Sequence, residues 1–167
     1  MNLQELFRIG MDREVPESYP SMKWLPSVNL GIGNKEMPEG VISIGIPNWN
    51  AETDALPFED GTIGEIWALH FLEHIDNVLG VLAECQRVLV PGGVMRIVVP
   101  YGACHMWVHD LTHKHLFNED TWRQTFRNVY YGDKDLPGGW KFRVGLNLIM
   151  AVKGENLALF TELIKEH

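Results

Sequence analysis

The residues of this chain best suited to chemistry are its histidines. His105, His109, Asp110, His113 and His115 fall within one short stretch. Imidazole titrates near neutral pH and can take a proton from an oxygen or nitrogen nucleophile, and His and Asp also ligate divalent ions. Polar surface with its histidines tied to backbone groups is the commoner fate of such a loop; an acceptor site and a metal site are the alternatives. For catalysis the choice is His113 as base with Asp110 orienting it. Upstream, His70-Phe71-Leu72-Glu73-His74 spells H-x-x-E-H, a zinc-peptidase spacing. That chemistry needs both histidines on one helix face and a third ligand. Here the motif follows a strand-like run, and Glu73 and His74 capping the next helix is the simpler reading, so no metal is assigned. A third feature is Gly31-Ile32-Gly33, where G-x-G lets backbone amides approach a ligand without Cβ obstruction, although any tight turn could use it.

The elements that position these residues follow from apolar periodicity. Residues 2–9 read as a short amphipathic helix, followed by a connector broken by Pro16, Pro20 and Pro26. Val28–Leu30, Val41–Ile46 and Ile63–Phe71 read as strands. The link from Asn34 to Gly40 is too short for a helix between the first two. A helix is expected from Asp76 to Leu89, with Val78, Leu79, Leu82, Cys85 and Leu89 on its apolar face. Pro91-Gly92-Gly93 stops it, and Val94–Val99 is apolar enough for a strand covered on both faces. Asn118 is placed as the N-cap of a further helix. Phe142–Val152 and Leu157–Ile164 read as a closing hairpin, the second also compatible with helix. Trp107, Trp122, Trp140, Tyr130 and Tyr131 could shape a pocket or fill the core, and 128–139 reads as a mobile loop. The sum is an open α/β sheet of at most seven strands.

Composition limits the function. The chain has 167 residues, 46% hydrophobic and 22% charged, with a net charge of −8, as expected of one globular domain. The acidic balance and the lack of any Lys/Arg run disfavour nucleic acid and anionic membrane surfaces as partners. No run is apolar enough to span a membrane, and the first residues carry no signal-peptide core. Only Cys85 and Cys104 occur, in no paired spacing. A cytoplasmic setting is expected.

Three segments, in order, carry a family resemblance. They are Asn29-Leu30-Gly31-Ile32-Gly33-Asn34; Leu56-Pro57-Phe58-Glu59-Asp60-Gly61-Thr62 followed by Leu69 to His74; and Arg87-Val88-Leu89-Val90-Pro91-Gly92-Gly93 leading into a strand. Together they resemble the small class I S-adenosylmethionine (SAM)-dependent methyltransferases, of the methyltransferase type 11 kind. Asp110-Leu111-Thr112-His113 extends the likeness. The resemblance implies a Rossmann-like, mostly parallel sheet, trimmed and closed by a C-terminal antiparallel hairpin. It implies one domain over 1–167, with 1–26 as an N-terminal extension that could act as a lid. The cofactor implied is SAM, the activity methyl transfer, and the partner a small-molecule or protein acceptor; a homo-oligomer through the terminal edge is open. Gly31, Ile32 and Gly33 would lie under the cofactor, Glu52, Thr53 and Asp54 would offer an acceptor to adenine, and Leu69, His70 and Phe71 would line the methionine or acceptor side. His70 joins His113 and Asp110 as a catalytic candidate. Two positions depart from the pattern: Asn29 and Gly45 stand where the family usually carries acids, with Asn48 and Asn50 as nearby substitutes. A methyltransferase fold that only binds or scaffolds is the alternative.

Overall fold

The structure, a computed structural model, describes residues 25–33, 37–127, 139–152 and 156–167. The helix expected over 2–9, the N-terminal lid and most of the 128–139 loop lie outside the described residues. Six strands form one sheet: β1 (Ser27–Leu30), β2 (Val41–Ile44), β3 (Ile63–Leu69), β4 (Leu89–Pro100), β5 (Phe142–Ala151) and β6 (Leu157–Lys165). Their spatial order is β2-β1-β3-β4-β6-β5. β1 pairs in parallel with β2 and β3, and β3 with β4, whereas β6 runs antiparallel to both β4 and β5. This is the trimmed Rossmann-like sheet with an antiparallel terminal hairpin. Among the described residues of the short β1–β2 link there is no helix.

The central strands are apolar on both sides because both faces of the sheet are covered. One face packs Val28, Ile66, Leu82, Cys85 and Ile97 in the main core, and the other packs Trp67, Val98, Met150 and Phe160. β6 settles as strand because it lies between β4 and β5, where both rows of its backbone groups find ladder partners. Charge is also buried there: Arg96 on β4 donates to Glu162 on β6 at 3.1 Å, pairs with Glu65 on β3, and sits 5.0 Å over the Trp67 ring.

Helix α1 (Val78–Val88) starts at Asn77, whose side chain accepts the Gly80 N–H. Its buried residues are Val81, Leu82, Cys85, Gln86 and Val88. Leu79, expected on this face, is exposed instead, because one residue past Val78 turns about 100° from it. Pro91-Gly92-Gly93 does not precede the next strand but lies within β4. The β3–β4 register slips there, from Ile63 opposite Leu89 to Glu65 opposite Val94, so β4 carries three extra residues in a bulge. A Cβ on Gly93 would stand 2.9 Å from the Val90 carbonyl oxygen and 3.2 Å from that of Gly64. Two short helices complete the described chain, α2 (His105–Val108) and α3 (Thr121–Arg127). Asn118 accepts the Asp120 and Thr121 N–H groups ahead of α3, the capping role assigned to it.

Candidate functional site

The parallel register places the carboxyl ends of β1 and β3 side by side, with Leu30 opposite Ala68. Ligands of open α/β sheets bind outside such ends. Past β1, Gly31 takes φ +91° and donates its N–H to the Ile44 carbonyl at 2.7 Å. Only glycine adopts this conformation freely. The Asn29 side-chain amide donates to the Gly31 carbonyl at 2.7 Å, while its Oδ1 is buried with no partner. A carboxylate at 29 could not donate to that carbonyl, which gives a physical reason for the departure from the acidic pattern. Gly33 faces open space, with no atom within 4 Å of a Cβ built on it.

Gly45 is filled differently. A Cβ there would stand 3.0 Å from the Ile32 nitrogen, 3.1 Å from its Cγ1 and 3.5 Å from the Gly31 Cα. The glycine corner has closed onto the position where the family carries an acid. Neither asparagine replaces it simply: Asn50 Oδ1 accepts the Glu52 N–H at 3.0 Å, and Asn48 lies on the exposed side of the turn.

At the end of β3, His70 takes φ +52° and donates its N–H to Val98 of β4 at 2.8 Å. A left-handed non-glycine residue is uncommon, and such residues collect at functional sites. Here it turns the chain from the strand into a 3₁₀ turn, Leu72–His74. The Phe71 ring lies against Gly31, 3.1 Å from the position of a Cβ there, and stacks on Trp49 with centroids 6.2 Å apart. The glycine corner and the β3 end are thus in contact through an aromatic ring. Leu69 instead packs into the core beside Trp67 and Val98, because alternate strand residues face opposite sides.

The 3₁₀ turn brings carboxylate and imidazole together. His70 Nδ1 lies 3.2 Å from Glu73 Oε1; Glu73 is fully buried, and its Oε2 has no partner. His74 Nδ1 lies 2.8 Å from Thr112 Oγ1, and the His74 and His113 rings are 4.7 Å apart. Lys114 donates its N–H to the Glu73 carbonyl at 2.7 Å, fixing the 105–117 segment to this turn. His113 Nδ1 lies 3.1 Å from the Trp107 carbonyl, which can only accept. The partner expected for His113, Asp110, stands 3.8 Å from Nε2, within ion-pair reach but beyond a hydrogen bond. Asp110 instead accepts the Thr112 hydroxyl at 2.6 Å and its amide at 2.8 Å, which hold its carboxyl below the usual range. His105 and His109 touch each other, with centroids 3.7 Å apart, and His115 Nε2 meets the Ile75 carbonyl at 2.9 Å.

The 52–54 loop is largely committed to structure. Glu52 accepts the Asp76 and Asn77 N–H groups at 2.7 and 3.1 Å, joining the loop to the start of α1. Asp54 accepts the Asn50 N–H and the Thr53 hydroxyl, and both contacts hold its carboxyl low. Sequence reasoning missed Trp49, which packs on Phe71, and Thr112, which links His74 to Asp110. Thr112 had a signal, since Asp-x-Thr favours the local side-chain-to-backbone bond seen here. A groove of about 340 Å³ opens nearby between α1 and the 115–125 segment, lined by Asp76, Leu79, Leu82, His115, Leu116 and Trp122 among others.

Comparisons with known proteins agree with this architecture. Residues 35–97 match the family model described as a methyltransferase domain. Over 62 residues the chain is 39% identical to sterol 4-C-methyltransferase strm-1 of Caenorhabditis elegans, which covers 37% of this chain and 19% of that protein; the chain thus spans about a fifth of that relative. Among solved structures, it superposes at TM-score 0.60 and 14% identity on a chain of the complex between the Haloferax volcanii Trm112 methyltransferase activator and a methyltransferase, covering 86% of this chain and 83% of that one. YcgJ of Bacillus subtilis gives TM-score 0.58 at 15% identity, covering 86% and 92%. At these identities the superpositions speak for the fold. The matched segment runs from the β1–β2 link through the β3 end into β4, and over it the chain is similar to the methyltransferase domain family.

Proposed function

We propose that this chain transfers the methyl group of SAM to a small-molecule acceptor. The observation that supports it most is the meeting of Gly31 and Phe71 at the carboxyl ends of two parallel neighbours. Residues present fit part of the cofactor's needs: Gly31 has the conformation for close backbone approach, and Gly33 leaves room for it. Phe71 and Trp49 offer an apolar wall, while Thr53 and Asp54 lie on the exposed rim. Gly45 supplies no carboxylate for the ribose. A charged hydrogen bond contributes about 1.5–3 kcal/mol, so affinity would be about tenfold or more below that of a site carrying the acid.

SAM, when bound, supplies a methyl group already electrophilic on its sulfonium. The protein's task is then alignment and proton removal. His70 is the better placed base. Its Nδ1 lies 3.2 Å from the buried Glu73 carboxyl; with the proton on Nδ1, Nε2 would be free to accept one, on a side chain 29% exposed. His113 has its orienting partner in the Trp107 carbonyl rather than in Asp110. The groove beside α1 lies at the lower end of small-molecule site volumes. We take 1–167 as one domain, with 1–26 as its extension, acting in the cytoplasm. Among the described residues no helix is long and apolar enough to cross a membrane, and both cysteines are free thiols.

Calorimetry with S-adenosylhomocysteine tests the reading. Binding in the micromolar range is expected, abolished by Gly31→Val, which forces a branched side chain into φ +91° against Phe71. No heat at millimolar ligand would end it in favour of a non-transferring scaffold.

A further inference from the structure

We infer that Glu73, His74 and His113 form a binding site for a single divalent transition ion of the zinc class, beside the cofactor cleft. One ligand atom from each lies within 4.8 Å of the others. The H-x-x-E-H spacing pointed to His70 and His74, but the turn at His70 breaks that pairing. His70 contacts Glu73, and the third ligand comes from the 105–117 segment instead.

The hydrogen bonds around these side chains leave their ligating atoms free. The Trp107 carbonyl can only accept, so His113 carries its proton on Nδ1 and keeps the Nε2 lone pair. Thr112 Oγ1 lies 2.6 Å from the Asp110 carboxylate, so its hydroxyl proton is spent there and it accepts from His74 Nδ1–H at 2.8 Å. His74 therefore also keeps its lone pair on Nε2. Metal-binding histidines almost always have their other nitrogen held by a carboxylate, a backbone carbonyl or water; here a carbonyl holds His113 and a carboxylate-bonded hydroxyl holds His74. The third donor is Glu73. Its Oε1 serves His70, and its Oε2 is buried without a partner, an arrangement that costs free energy unless a cation or water meets it. Two neutral imidazoles and one carboxylate are the donor set of catalytic zinc sites, which leave the fourth position open. His74 is half-buried, whereas the His113 side chain is only 6% exposed. Zinc bonds of about 2.0–2.2 Å put tetrahedral ligand atoms about 3.4 Å apart, so pairs now within 4.8 Å must close by up to about 1.4 Å, a change within rotamer adjustment for residues on a turn and a loop. Asp110 Oδ2, 3.8 Å from His113 Nε2, adds negative charge beside the ion.

The site does not depend on methyl transfer, and neither does its test. Untagged, metal-stripped protein is titrated with Co²⁺, following the visible bands of low-coordinate cobalt, then competed with Zn²⁺, and the bound zinc is counted by elemental analysis. One ion per chain is expected. His74→Gln and His113→Gln should each weaken binding by at least the about 10–100-fold that loss of an outer-shell partner costs, and Thr112→Val by about that factor. Glu73→Gln should do the same if it folds; the two histidine variants decide if it does not. His105→Gln and His109→Gln, whose rings touch each other and lie outside the ligand set, should bind as wild type does. The inference is overturned if excess Co²⁺ gives no bands, if His74→Gln and His113→Gln both bind within twofold of wild type, or if His105→Gln removes binding. S-adenosylhomocysteine titration of the same samples reports the cofactor cleft separately, so either reading can fail alone.

Discussion

Gly45→Ala probes the closed glycine corner directly. The added Cβ would sit 3.0 Å from the Ile32 nitrogen and 3.1 Å from Ile32 Cγ1. The second contact is with a side chain that is 55% exposed and can swing away; the first is with backbone anchored by the Gly31 N–H to Ile44 bond. Overpacking of this kind costs about 1–3 kcal/mol. At about 2–4 °C per kcal/mol for a chain of this size, the melting temperature should fall by about 2–12 °C. Because the backbone contact carries most of the cost, Ile32→Ala in the Gly45→Ala background should recover less than half of the loss, while Ile32→Ala alone should be nearly neutral. Thermal unfolding of the four proteins by circular dichroism measures the cycle. The same geometry predicts that Gly45→Asp, which restores the family's acid, weakens S-adenosylhomocysteine binding rather than strengthening it, since the corner must move to admit the side chain. A Gly45→Ala protein melting within 1 °C of wild type, or one fully rescued by Ile32→Ala, would refute the reasoning.

Two further outcomes follow from buried and paired groups. Glu84 accepts from Arg87 Nε and Nη2 at 2.9 and 2.7 Å and from the Leu56 N–H at 2.8 Å, and the Arg87 hydrogen bonds hold its carboxyl below the ordinary value of 4.5. A folded value below the unfolded one stabilises above about 4.5 and is lost as pH falls through the folded value; Glu84→Gln should flatten the fall in melting temperature between about pH 5 and 3, and an unchanged slope would count against the pairing. Burial pushes the Cys85 thiol up, while Cys104 is half-buried with its Sγ 3.4 Å from the Leu157 carbonyl. A thiol reagent at pH 8 should therefore titrate one fast group in the native protein, removed by Cys104→Ser, and a second only in denaturant; two fast thiols would contradict the burial of Cys85.

The fold was legible because its determinants are local and repeat themselves. Apolar runs ended by glycine or proline gave the strands, and Asn118 ahead of α3 gave a cap that the backbone uses. Leu79 is apolar and so reads as a buried-face residue, but the neighbours that define the face of α1 lie at 78, 81, 82, 85 and 88, and Leu79 lines the groove beside it. Pro91-Gly92-Gly93 ended the helix as read, yet nothing local distinguishes a turn before a strand from a bulge inside one. That depends on what the partner strand β3 does at Ile63–Glu65.

The site was less legible because its pairings are set by a competition that spacing does not record. Asp110 and His113 are three apart, the separation that faces side chains together on a helix, but here they sit in a turn, and Thr112 takes the Asp110 carboxylate through both its amide and its hydroxyl. His113 then finds the Trp107 carbonyl, and Asp110 reaches His74 only through the threonine. The same holds at H-x-x-E-H. Read as an α-helix, His70 and His74 share a face; with φ +52° at His70 and a 3₁₀ turn after it, Glu73 falls to His70 and His74 to the neighbouring segment. The residue types announced proton transfer and ligation, but one backbone torsion decides which imidazole receives which partner. That torsion is held by a hydrogen bond to Val98 on the next strand, so the chemistry of the β3 end is fixed by its register with β4 and not by the motif that drew attention to it.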